Sequence, residues 1–310
     1  MSRPPYQSSS NRFDTGQCVR VEQHEPASMA SYYDKSVVDK TMEEAQKWAP
    51  SEFVEINRDL KLKERVLKAA TDVIEEHSRL NKQIGSCLEQ DPSAIETTLS
   101  EHLPSGRIDK IKEGLLVLTF EMSIVSMNGT YYVHTQIGGE ELYPPRQLRS
   151  KGDIDWAIVL QYASILIEAV MLLMSVVGIH VSINKIQMKK TTETVVNAIN
   201  RYGGLLNNLV KFIEAWTKSG ESLKLKAIAL FKLLLQCYKS SYGIIAEIIK
   251  GLLEGTDPVG WVFICVSVLA LFATGGTAIT VMIILALKNA YKFVVKIENV
   301  LALRDKGKNM

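Results

Sequence analysis

The sequence predicts a mainly α-helical protein: a helical bundle with a small β-hairpin in its N-terminal half and two long hydrophobic helices in its C-terminal half. Three observations predict this fold class. Apolar residues recur every three or four positions over much of the chain, which is typical of amphipathic helices. In one segment, apolar residues recur at every second position on both sides of an Asn-Gly pair, which indicates a β-hairpin. Two stretches of nearly thirty residues carry almost no charge.

The composition is that of a folded protein whose two halves differ in charge. The 310 residues are 46% hydrophobic and 23% charged, which excludes a wholly disordered or collagen-like chain. Residues 1–155 contain 19 Lys/Arg and 25 Asp/Glu, a net charge of −6, and residues 156–310 contain 17 and 9, a net charge of +8. Because the basic half is also the apolar half, the pattern favours an anionic lipid bilayer over nucleic acid as partner.

The chain divides into three predicted regions. Residues 1–30 have no sustained periodicity and few large apolar side chains, so we expect a disordered tail. Residues 31–150 are predicted to form an acidic, soluble α+β region, and residues 151–310 a basic, hydrophobic, membrane-interacting helical region. The boundary near residue 150 follows segment 138–145, whose paired glycines and prolines favour a linker.

Two helices are predicted near the start of the acidic region. Residues 36–48 fit a short amphipathic helix, which should end before Pro50 because the residue preceding a proline avoids helical geometry. Residues 59–88 fit a longer helix with one buried apolar stripe.

The hairpin has a predicted register as well as a predicted turn. Asn128 and Gly129 suit a two-residue turn, since both tolerate positive φ. The register then places apolar residues on one face of the hairpin. The predicted pairs are Met127–Thr130, Ser126–Tyr131, Ile124–Val133, Met122–Thr135 and Phe120–Ile137.

The first apolar stretch, Trp156–Ile183, has Glu168 as its only charge. Its polar residues are spaced so that they form a narrow stripe on one face of a helix. An ionisable residue at bilayer depth has to face a bundle interior or water, so we predict that this stripe lines such a region. The stripe consists of Gln161, Ser164, Glu168, Ser175 and Ser182.

The second apolar stretch, Val259–Leu287, has no charged side chain. As one helix it would extend about 43 Å, more than the roughly 30 Å of a bilayer core. A break at Gly275-Gly276 would give two packed helices instead. The cations that follow are predicted to flank the membrane segment; they are Lys288, Lys292 and Lys296. Residues 185–256, between the two stretches, suggest two or three amphipathic helices.

No motif in the sequence points to catalysis. The five histidines occupy separate segments, the four cysteines are far apart, and neither a phosphate-binding glycine loop nor a serine nucleophile elbow occurs. We therefore predict a non-enzymatic protein without catalytic, cofactor-binding or metal-binding residues. The first thirty residues lack the apolar core of a secretory signal.

We interpret the chain as a membrane-inserting helical protein, pore-forming or membrane-perturbing, whose layout is similar to that of toxin-like proteins in which soluble helices carry an apolar hairpin. Homo-oligomerisation would be expected if the stripe lines a lumen. The predicted location is a membrane, or the cytoplasm with conditional insertion. Two alternatives stay open at this point: a constitutive two-span membrane scaffold, and a soluble helical interaction module with an unusually apolar core.

Overall fold

The computed structural model describes residues 35–85, 87, 92–115, 120–137, 139–147, 156–240, 243–254, 257 and 259–309. The predicted tail, residues 1–30, and the predicted boundary near residue 150 lie outside these ranges. The described residues are mainly α-helical, with a small antiparallel sheet in the N-terminal half, as the sequence predicts.

Five helices precede the sheet and eight follow it within the described residues. The first five are α1 (Lys35–Trp48), α2 (Pro50–Arg58), α3 (Leu60–Gln83), α4 (Pro92–Ser100) and α5 (Ser105–Glu113). The strands are β1 (Phe120–Met127), β2 (Thr130–Ile137) and β3 (Glu140–Gln147). The remaining helices are α6 (Trp156–Val176), α7 (Lys185–Arg201), α8 (Gly203–Lys218), α9 (Leu223–Ser240), α10 (Ile244–Leu252), α11 (Gly260–Ala273), α12 (Thr277–Asn289) and α13 (Tyr291–Asn309).

The hairpin has the predicted register. All five predicted pairs are observed between β1 and β2. At the turn, φ is +52° at Asn128 and +75° at Gly129, so both residues have the left-handed backbone that this tight turn requires.

The prediction of a linker over residues 138–145 is wrong, because residues 140–145 belong to β3. Its paired prolines, Pro144 and Pro145, lie where the register of β2 against β3 shifts, between the pairs Thr135–Tyr143 and Val133–Arg146. Proline donates no ladder hydrogen bond, so an irregular position on an outer strand accommodates it.

Helix α6 lies at the centre of the core. It packs against α5, α7 and α13, and its window of highest hydropathy is 94% buried. The sheet covers its first turn, where Met122 and Val133 contact Ala157 and Ile158. Hydrophobic residues from α1 through α13 join in one core cluster.

The second apolar stretch forms two helices rather than one, as its paired glycines allow. Helices α11 and α12 meet at 111°, with Gly275 at φ +91° between them. Helix α11 packs against α1 and α3, whereas α12 packs against α5 and α9. Four helices, α7 to α10, rather than two or three, lie between the apolar stretches.

Candidate functional site

A buried polar cluster connects α6 and α13, the first and last helices of the C-terminal half. We call it the buried ion-pair site. It consists of Ser164 and Glu168 on α6 and Lys296 on α13. The ammonium of Lys296 forms an ion pair with Glu168 Oε1 and donates a hydrogen bond of 2.7 Å to Ser164 Oγ. Ser164 and Glu168 are four residues apart, so one face of α6 presents both to α13.

The ion pair is almost completely removed from water. The side chains of Glu168 and Lys296 are 3% and 9% exposed. Within the described ranges, Glu168 Oε2 has no hydrogen-bond partner. Removing a carboxylate and an ammonium from water costs several kcal/mol each, and their mutual attraction offsets this only while both are present. The site therefore depends on α6 and α13 staying together.

Gln161 faces a different neighbour. Its Nε2 lies 3.5 Å from Met122 Sδ on β1, and its Oε1 is buried with no partner among the described residues. The first position of the predicted stripe is thus under the sheet, not beside Lys296.

The two last residues of the predicted stripe are separated from the ion pair. Ser175 Oγ donates a 2.7 Å hydrogen bond to the Leu172 carbonyl of its own helix, and Gly114 lies close against it. Helix α6 ends at Val176, so Ser182 lies beyond the helix and is exposed. The stripe on α6 therefore includes four of the five predicted residues.

The three predicted flanking cations differ in their exposure to solvent. Lys288, near the end of α12, and Lys292, near the start of α13, are exposed. Lys296 is instead buried against Glu168. The sequence identified both partners of the pair but did not predict that they meet.

The arrangement suits a structural ion pair better than a reacting group. Lys296 Nζ donates its hydrogen bond to Ser164 Oγ, so the amine is not placed to accept a proton from the hydroxyl. Within the described residues, no three His, Cys, Asp or Glu side chains are placed to hold a metal ion.

One helix of this site, α6, has the length and composition of a membrane segment. Helix α6 has 21 residues, and the mean hydropathy of its most apolar 18-residue window is 2.1; among the described helices it alone is long and apolar enough to cross a membrane by itself. Helices α11 and α12 meet it only as a bent pair.

Comparison with known proteins finds no family model that matches the chain, and no curated protein or solved structure with significant similarity to it.

Proposed function

We propose that this protein is a non-enzymatic membrane-inserting protein, which keeps its apolar helices inside a water-soluble fold and transfers them to an anionic bilayer on a trigger, permeabilising it. The observation that carries the proposal is the burial of a helix with the length and hydropathy of a membrane span inside a layer of amphipathic helices.

The burial of α6 supports conditional rather than permanent insertion. A permanent span presents apolar side chains to lipid around much of its circumference. Here 94% of the most apolar window of α6 is covered by protein, and almost all of α12 is buried as well. The apolar surface becomes available to lipid only if the outer helices move away.

A basic corner of the surface supports contact with anionic lipid. Lys226 Nζ lies 5.4 Å from the centre of the Trp216 ring, and the Trp216 and Phe293 rings are 5.9 Å apart, so α8, α9 and α13 meet there. Leu225, which precedes Lys226, and Tyr291, two residues before Phe293, are 48% and 79% exposed. Cations beside exposed apolar groups suit the headgroup region of an anionic bilayer.

The proposal is tested with protein purified without detergent and vesicles loaded with a fluorescent dye. We expect monodisperse protein that releases the dye from anionic vesicles under at least one condition in a series of pH values. Protein that needs detergent throughout would establish the constitutive scaffold instead. Vesicles that retain their dye at every pH and lipid composition would overturn the proposal in favour of a soluble interaction module.

Tryptophan fluorescence locates the inserted helix. Trp261 lies on α11 and is buried, whereas Trp48 lies at the end of α1, in the acidic half of the chain, and is half-buried. Lipids brominated on their acyl chains should quench the protein, and Trp261→Phe should reduce this quenching because α11 inserts. The matched variant Trp48→Phe should leave it unchanged, because α1 stays outside the bilayer, and equal losses in the two variants would argue against selective insertion of α11.

A further inference from the structure

Helix α3 fastens the turn between the two halves of the second apolar stretch. Asn81 Nδ2 donates a hydrogen bond of 2.6 Å to the Thr274 carbonyl, and the Ala278 amide donates one of 2.7 Å to Asn81 Oδ1. One side chain therefore binds the last turn of α11 and the first turn of α12. Both bonds would break if α3 left the core.

Helix α5 fastens the end of the first apolar stretch. Arg107 Nε donates a 2.7 Å hydrogen bond to the Val176 carbonyl, and Lys110 Nζ a 3.0 Å bond to the Gly178 carbonyl. These cations suit the negative end of the α6 dipole. Arg107 also forms an ion pair of 3.4 Å with Glu76 on α3. We call Asn81, Arg107 and Glu76 the α3–α5 clamp, since together they connect both apolar units to two outer helices.

A buried histidine lies within this clamp. His77 precedes Asn81 by one helical turn, so both share a face of α3. Its side chain is completely buried, and neither ring nitrogen has a hydrogen-bond partner in the part of the chain that the structure describes. Burial, with the nearby charge of Arg107 as the second cause, lowers the pKa of His77 from 6.5 to about 3.

The helices around His77 offer little to stabilise a charged imidazole. Helix α5 contributes Arg107, a like charge, whose partner Glu76 is already bound to it. Helix α11 carries no acidic or basic side chain, and α12 carries only Lys288, eleven residues beyond its start. The charged residues of α1 and α2 are all exposed or half-buried.

We propose that His77 makes the α3–α5 clamp sensitive to acid: a proton on this buried imidazole, beside Arg107, drives the end of α3 out of the core and frees the α11–α12 turn and the end of α6. The proposal rests on the proposed function, because it supplies the trigger for insertion. The folded protein binds this proton more weakly than the unfolded chain does. The stability contributed by neutral His77 is therefore complete above pH 6.5 and is lost as the pH falls toward 3.

The test is the pH dependence of unfolding in the absence of lipid. His77 alone should raise the unfolding equilibrium constant of the wild-type protein by up to about tenfold per pH unit below 6.5, thus about a hundredfold at pH 4.5. His77→Leu should remove this part of the slope, whereas the matched change at an exposed histidine, His180→Leu, should keep it. A slope in His77→Leu equal to that of the wild type would overturn the proposal.

The test does not depend on one variant folding. His77→Met makes the same comparison with a more adaptable side chain. In the wild-type protein, nuclear magnetic resonance should find the His77 ring neutral at pH 5, and titration of His77 near pH 6.5 in the folded state would overturn the proposal by itself.

Dye release distinguishes this proposal from the proposed function. Release that rises below pH 6.5 in the wild type but not in His77→Leu supports both. A His77-dependent slope of unfolding without release at any pH would refute membrane permeabilisation and leave the clamp standing. Release with an unaltered unfolding slope in His77→Leu would refute the acid-sensitive clamp alone.

Discussion

Lys296 and Glu168 are each costly to bury as charged groups, and each offsets the desolvation cost of the other. Lys296→Met leaves the Glu168 carboxylate buried without its cation. We expect the free energy of unfolding to fall by about 3–5 kcal/mol, measured by urea denaturation at neutral pH.

A double mutant separates the pair from ordinary packing. Adding Glu168→Leu to Lys296→Met removes the unpaired charge as well, so most of the lost stability should return. Lys292→Met, the same change at an exposed position one helical turn earlier, should alter stability by less than about 0.5 kcal/mol. A double mutant no more stable than Lys296→Met would show that the cost lies in packing and not in the charge.

Elements whose signals are local could be predicted from the sequence. The hairpin is the clearest example, since the turn chemistry of Asn128-Gly129 and the alternation of its strands agree on one register. Strand β3 could not be predicted, because Pro144 and Pro145 argue against a strand unless the neighbouring pairing is known to be irregular. Local pattern also left open whether the second apolar stretch bends at its glycines, which tertiary packing decides.

The buried ion-pair site could be predicted only in part. Glu168 is conspicuous as the single charge in an apolar stretch, but its cation lies 128 residues further along the chain. Lys288, Lys292 and Lys296 are spaced by four, as if on one face of one helix. Because α12 ends at Asn289 and α13 begins at Tyr291, the three lysines do not share one face of a single helix. His77 lies on the apolar stripe of α3, three residues after Ile74 and three before Leu80, so its burial could be predicted from spacing, but its missing hydrogen-bond partners and the nearby Arg107 could not.

At the scale of elements, the bend between α11 and α12 requires a residue without a side chain. A Cβ on Gly276 would lie 2.3 Å from Phe231 Cε1 on α9. Gly276→Ala should therefore lower the free energy of unfolding by about 1–3 kcal/mol through overpacking. Gly204→Ala, on α8 where nothing lies within 4 Å of the added Cβ, is the matched control.

Phe231→Leu tests whether this contact is the cause. If the ring enforces the glycine, Gly276→Ala should cost clearly less in the Phe231→Leu background than in the wild type, as a double-mutant cycle of thermal or urea unfolding would show. Equal costs in both backgrounds would show that the Phe231 ring is not what requires a glycine at position 276.

At the scale of the whole molecule, the proposed function predicts that the charge asymmetry orients the protein on an anionic surface. The second half of the chain has a net charge of +8 and the first half −6, so the basic half should face an anionic bilayer. That half also contains both apolar units. Electrostatic attraction would then bring the insertable helices toward the membrane before any of them is exposed.

Flotation with vesicles measures this orientation. Binding should rise with the fraction of anionic lipid and fall with added salt, because exposed cations near the surface contribute about 1 kcal/mol each. Neutralising two of them with Lys224→Gln and Lys292→Gln should weaken partitioning at low salt by about 2 kcal/mol, roughly thirtyfold. Lys61→Gln with Lys63→Gln makes the same change in net charge at exposed positions of the acidic half and should have little effect. Equal losses from the two pairs would mean that net charge, and not its placement on the basic half, governs contact with the membrane.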